Sequence, residues 1–214
     1  MADEITQPKS HTIKIEKPKL LLGEGREEVL FFGALIDYLK LHDIQIMEIG
    51  GKDNLRKNLK ALTKAQGFDG VLSLGIVRDA DADADAAFQS VCDALKTIDL
   101  PIPERPLHPV GEKPRVGVLI LPGEGEQGML ETLCLRAVAQ DPAMLCVEQY
   151  FKCLQQARLP WLDNMNMSKA KVHAFLASRR KAGLRLGEAA KAGLWPWETE
   201  TFKQVKDFLR LIAS

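Results

Sequence analysis

An α/β protein built on an open parallel sheet is the fold this sequence predicts, and three observations predict it. Short apolar runs alternate with stretches of helical periodicity from residue 12 to about residue 140, the order that buries a parallel sheet between two helical layers. Two of those runs lead directly into acidic loops, and loops at the carboxyl ends of parallel strands are where such folds bind ligands. Past Pro142 the strand signals stop and only helical patterns remain. The expected architecture is a sheet of about four parallel strands with helices on both faces, plus a C-terminal helical extension. It divides into a tail at 1–17, an α/β domain at 18–141 and helices at 142–214 packed on that domain.

The elements follow in order. Thr12-Ile13-Lys14-Ile15 alternates at period two and reads as an edge strand or hairpin arm. Leu20–Leu22 is the first buried strand. Arg26 to Leu41 then places Val29, Phe32, Ile36 and Leu39 on one helical face. Ile44–Ile49 is a strand closed by Gly50-Gly51, and Lys52 to Ala65 is a helix with Leu55, Leu59 and Leu62 inward. Val71–Val77 is the third strand, followed by a helix over about 83–98. Pro101, Pro103, Pro106, Pro109 and Pro114 make the next stretch a loop. Val116–Leu121 is the fourth strand, and Met129–Gln140 is helical. Helices then read over 143–158, 168–181 and 198–213. The last is the clearest, with Phe202, Val205, Phe208, Leu209 and Ile212 on one face. Trp195-Pro196-Trp197 reads as a hydrophobic plug that docks the tail.

Formal net charge is zero and no apolar run approaches the roughly 20 residues of a membrane span. The polar first residues are no signal peptide, so the expected compartment is the cytoplasm. Cys92, Cys134, Cys146 and Cys153 lack C-x-x-C spacing and read as reduced packing residues. His42, His108 and His173 are too scattered for a ligand set. Charge is unevenly placed: Asp79, Asp81, Asp83, Asp85, Asp93 and Asp99 crowd one stretch, while Lys169, Lys171, Arg179, Arg180, Lys181, Arg185 and Lys191 dominate 164–191. Acids at the chemistry and cations along a backbone suit a phosphate-bearing polymer; a solvated basic helix face is the alternative.

The two acidic motifs carry the chemistry. Gly23-Glu24-Gly25-Arg26-Glu27-Glu28 is not a dinucleotide loop, because Glu28 stands where G-x-G-x-x-G needs glycine. Asp79-x-Asp81-x-Asp83 is not an EF-hand, because Ala84 and Ser90 stand where Gly and Glu are required. Helix N-terminal acids favoured by the macrodipole would explain Asp83 and Asp85 but not Asp79 and Asp81 beside Arg78. A glutamate and a DxD pair meeting at one sheet edge form an oxygen-rich pocket suited to Mg²⁺ or Mn²⁺.

Those residues also carry a resemblance. Leu22-Gly23-Glu24-Gly25-Arg26-Glu27-Glu28 resembles the strand–Glu-Gly-x-x-Glu signature of the Toprim (topoisomerase–primase) domain, in the spacing of the OLD-family nucleases, and Ile76-Val77-Arg78-Asp79-Ala80-Asp81 resembles its DxD motif. Gly50-Gly51-Lys52-Asp53-Asn54-Leu55 is similar to a turn of single-domain Toprim proteins, and Gly128-Met129-Leu130-Glu131 to a segment that supplies a further acid. The whole chain, with Leu184-Arg185-Leu186-Gly187-Glu188-Ala189-Ala190 and Trp195-Pro196-Trp197, resembles a bacterial family of standalone Toprim proteins. The resemblance implies metal ligands at Asp79, Asp81 and Asp83, with Glu28 and Glu131 for a second ion. It implies Glu24 as general acid/base and Lys169 or Lys171 as the lysine of OLD-type sites. Lys52, Arg78, Arg179 and Arg180 would contact nucleic acid.

Two functions follow as expectations: a Mg²⁺- or Mn²⁺-dependent nuclease or related phosphoryl-transfer enzyme acting on DNA or RNA, or a non-catalytic module binding nucleic acid, a nucleotide or a separate ATPase partner. No membrane association is expected, and the apolar helices after residue 142 suit a homodimer.

Overall fold

The computed structural model describes residues 14–51, 54–159, 162 and 166–214. Four strands, β1 (Lys19–Gly23), β2 (Ile44–Glu48), β3 (Ser73–Asp79) and β4 (Arg115–Leu121), form one sheet in the order β2-β1-β3-β4, and every pairing is parallel. The α/β class with a four-stranded parallel sheet between helical layers is therefore the fold of this chain.

Helix α1 (Arg26–Leu39) carries the chain from β1 to β2 across one face, burying Phe31, Phe32, Leu35 and Ile36. Helices α2 (Leu55–Leu62) and α3 (Ala84–Lys96) cover the opposite face with Leu55, Leu59, Leu62, Val91 and Leu95. Strand alternation serves both layers, since successive side chains point to opposite faces. Leu20, Leu22, Leu74, Ile76, Val116, Val118 and Ile120 face α2 and α3, while Leu21, Val77, Leu119 and Leu121 face α1. The connections leaving the neighbouring strands β1 and β3 thus run over opposite faces. Their carboxyl ends open a crevice at that topological switch point.

The C-terminal helices α4 (Leu130–Ala137), α5 (Pro142–Gln156), α6 (Met167–Ala177), α7 (Leu186–Lys191) and α8 (Lys203–Ala213) all share the α1-side core. Helix α8 packs directly on β3 and β4. A Cβ on Gly75 would lie 3.1 Å from Ile212 and 3.3 Å from Phe208, and one on Gly117 would lie 3.1 Å from Phe208. These two glycines let the helix sit close to the sheet. Trp195 stacks on Phe175 with its indole N–H donated to the Leu186 carbonyl, and Trp197 packs against Phe31 and Phe202. The plug expected from these tryptophans is therefore built.

Some boundaries differ from the sequence reading. Strand β3 begins and ends two residues later than expected, because Val71 closes a 3₁₀ turn over Phe68–Gly70 while Arg78 and Asp79 pair with Ile120 and Leu121. The last α-helix begins at Lys203, after a 3₁₀ turn at Glu200–Phe202. Helix α7 was not anticipated. Of the expected N-terminal edge strand, the described residues show a bridge from Lys14 to Gln66; Thr12, Ile13 and the candidate Lys52 lie outside the described residues.

Candidate functional site

Glu24 is the first residue past β1, on the lip of the crevice. Its Oε1 accepts the Asp79 backbone N–H at 3.3 Å and lies 3.0 Å from Arg78 Nε. Arg78 is buried, and its Nε has no aligned hydrogen bond, so the contact is an ion pair. Gly23 is required by what comes next: a Cβ there would stand 2.9 Å from the Glu28 Cβ. The first turn of α1 can fold back over the strand end, and Glu28 Oε2 receives the Gly25 N–H at 3.0 Å. The glycines of this motif therefore make room for Glu28, not only for Glu24.

Asp79 ends β3, and its Oδ1 accepts the Leu130 N–H at the start of α4 at 3.0 Å. A loop contact brings α4 there. Asp81, at φ 51°, exchanges two backbone hydrogen bonds of 2.8 Å with Gly128. Aspartate tolerates that left-handed conformation better than most residues. Glu131 follows in the first turn of α4. Asp83 has a different task, since its Oδ1 accepts the Ala86 N–H at 2.9 Å and caps α3.

The electrostatics follow from this crowding. Burial, then the charges of Glu28, Glu24 and Glu131, push the Asp79 carboxyl from its ordinary 3.8 up to about 8, against the Leu130 hydrogen bond. Glu24 is raised by burial, opposed by Arg78 and the Asp79 N–H, with Glu28 and Asp81 adding to the rise. Glu131 is raised by burial, with Lys169 opposing. Burial also raises the Cys134 thiol behind them, with Glu131 and Asp79 contributing. Carboxyls that disfavour their own ionisation make a site that a cation would relieve.

The donor set fits a hard divalent ion. Glu24, Glu28 and Asp79 each use one oxygen on the protein, leaving the other without a hydrogen-bond partner among the described residues. No three His, Cys, Asp or Glu among the described residues close on one point. Mg²⁺ keeps several waters and needs only one or two carboxylates.

The candidate cations separate. Lys171 Nζ is held by both oxygens of Glu148, each at 2.7 Å, and Arg179 makes a two-pronged pair with Asp141 while lying over the Phe175 ring. Arg78 is turned to Glu24, and Arg180 is exposed. Of the two candidate lysines on α6, Lys169 is the one beside an acid of the site: with Glu27, Glu131, His173 and Arg185 it lines a cleft of about 310 Å³. A smaller cleft of about 190 Å³, on the other side, is lined by Arg78, Asp79, Asp81 and Asp83. Sequence reasoning missed Glu27, His173 and Arg185. The i, i+4 spacing of Lys169 and His173 was the available signal for the histidine.

Residues 18–214 match the model of a family described as a protein of unknown function, DUF3226. The chain belongs to that family. The DUF3226 match covers the sheet and the C-terminal helices together, and so every site residue named above. No curated protein and no solved structure matches the chain.

Proposed function

We propose that this chain is a Toprim-type phosphodiesterase, dependent on Mg²⁺ or Mn²⁺ and acting on nucleic acid. The observation that carries the reading is the meeting of Glu24 and Asp79 at the switch point between β1 and β3, with Glu28 and Glu131 close enough to help raise Asp79 to about 8. Asp79, Glu28, Glu131 and Asp81 are the side chains that would hold the ion. When bound there, the metal supplies Lewis-acid neutralisation of phosphate charge. Glu24 is oriented by Arg78 and the Asp79 N–H, and its raised carboxyl suits it to carry a proton to or from the reacting oxygens. Lys169, across from Glu131, steadies negative charge on the phosphate. Lys171, tied to Glu148, has no such part.

A second reading, a non-catalytic module for nucleic acid, a nucleotide or an ATPase partner, is favoured by one observation: the acids form no ready-made cage among the described residues. The two readings divide on one experiment. Supercoiled plasmid and labelled single-stranded DNA and RNA are incubated with Mg²⁺, Mn²⁺ or EDTA, using wild type and Asp79→Asn. The enzyme reading expects metal-dependent cutting that the variant loses by at least a hundredfold while remaining folded. Wild type that is folded and inert with every substrate sinks it and leaves the binding module.

A further inference from the structure

The segment Leu184–Ala190 has no part in the acidic chemistry, yet the fold presses it against the site. Glu27, in the first turn of α1, accepts the Gly187 N–H with Oε2 at 2.7 Å. A Cβ at Gly187 would stand 2.5 Å from the Leu30 Cβ and 2.8 Å from the Glu27 carbonyl oxygen. Backbone therefore meets backbone with no room for a side chain, and this contact sets where α7 begins. Arg185 lies immediately before α7.

What sets this cleft apart is that Lys169, His173 and Arg185 line it together with Glu131. Arg136, Lys171 and Arg179 are neutralised by Glu126, Glu148 and Asp141. Arg185 and Lys169 have no ion-pair partner among the described residues. Glu188 meets the Arg185 backbone N–H at 3.0 Å, not its guanidinium. His173, one helical turn beyond Lys169, adds a third donor to the same wall. Glu131 and Glu27 line the same cleft. Donors free of protein partners beside an acidic metal-type site are the constellation that receives an anion bridging the two.

We propose that Arg185, with His173 and Lys169, forms the phosphate subsite of the substrate, and that docking of α7 on α1 exists to place Arg185 there. This rests on the phosphoryl-chemistry reading of the acids. The phosphate belongs either to a nucleic acid strand or to a free nucleotide.

The test reads binding without turnover. Anisotropy of short fluorescein-labelled single-stranded DNA and RNA, and of a fluorescent nucleoside triphosphate, is measured in EDTA and in Ca²⁺ for wild type, Arg185→Ala, His173→Ala and Lys60→Ala. Lys60 is an exposed control on α2, on the far face of the sheet. Arg185→Ala is expected to weaken binding of the preferred probe about tenfold and to flatten the dependence of log K on log salt. For a strand, one lost phosphate contact lowers that slope by about 0.7. His173→Ala should weaken binding less and Lys60→Ala should leave it unchanged. Preference for the oligonucleotides assigns the phosphate to a strand, and preference for the triphosphate to a nucleotide. Equal weakening by Arg185→Ala and Lys60→Ala, an unchanged salt slope, or no binding of any probe by wild type overturns the subsite. Cleavage that survives Arg185→Ala with unaltered KM overturns it while leaving the metal-site reading intact. Loss of binding in Arg185→Ala from a wild type that never cuts keeps the subsite and removes the enzyme.

Discussion

Asp79 concentrates the physical tension of this molecule in one carboxyl group. In the folded chain its pKa is about 8, against an ordinary 3.8, because burial and three neighbouring acids penalise the ionised form. A folded-state pKa above the unfolded one means that the folded protein holds an extra proton between roughly pH 4 and pH 8, so stability contributed by this group falls as pH rises through that window. Asp79→Asn keeps an oxygen for the Leu130 N–H and removes the charge. Without metal it is expected to stabilise the protein at pH 8 by about 1–3 kcal/mol and to flatten the decline from pH 5 to pH 8. Denaturant midpoints of both proteins at the two pH values check this, and an unchanged difference between them would show that Asp79 is not strained. The two lysines provide a second residue-scale comparison. Lys169→Ala is expected to lower metal-dependent cleavage at least tenfold, while Lys171→Ala loses only a pair with Glu148, costing up to about 1 kcal/mol. Steady-state rates and urea midpoints of the two variants separate catalysis from stability.

Among the elements, α7 shows most sharply what patterning can and cannot disclose. It has six residues, too few for two turns of amphipathic signal, and its place depends on a close approach across 160 positions of sequence. No periodicity encodes that. The sheet and the longer helices were legible because each buries a face large enough to impose a period. The acids were legible because they follow apolar runs directly, and the two glycines around Glu24 signalled a tight exit. What could not be read was the pairing of charges: nothing local shows that Lys171 on α6 meets Glu148 on α5, or that Arg179 just past α6 meets Asp141 just before α5, since the partners are far apart in sequence. Arg78 escaped for a related reason. It reads as a loop cation, but β3 runs two residues further than its apolar run and carries Arg78 into the sheet. Gly187→Ala tests the helix contact. The added methyl meets backbone, which cannot swing aside as a side chain can, so a loss of about 1–3 kcal/mol is expected. Thermal melts check the stability, and anisotropy with the labelled oligonucleotides should show Arg185 displaced even where the variant remains folded.

At the scale of the whole molecule, the sheet separates a stabilising layer from a working edge. Helix α8 runs opposite to the strands, from Gln204 beside Gly123 past the carboxyl end of β4 to Ala213, whose carbonyl accepts from Lys19 at the start of β1. Its Phe208 is fully buried over Gly75 and Gly117. Phe208→Ala should therefore cost about 3–5 kcal/mol through lost burial and the cavity left behind. Asp79 lies four residues beyond Gly75 on the same strand, about 13 Å at roughly 3.3 Å per residue. Changes separated by more than about 7–10 Å with no shared partner add. The double variant of Phe208→Ala and Asp79→Asn is thus expected to match the sum of the single changes within about 0.5 kcal/mol, measured by urea denaturation without metal. The same independence governs metal: Mn²⁺ at about a hundredfold its Kd should stabilise wild type and Phe208→Ala alike by about 2.7 kcal/mol, and Asp79→Asn hardly at all. A strong coupling between the two positions would mean that the strand transmits strain from the α8 layer to the acids, and that the working edge is not mechanically separate from the core beneath it.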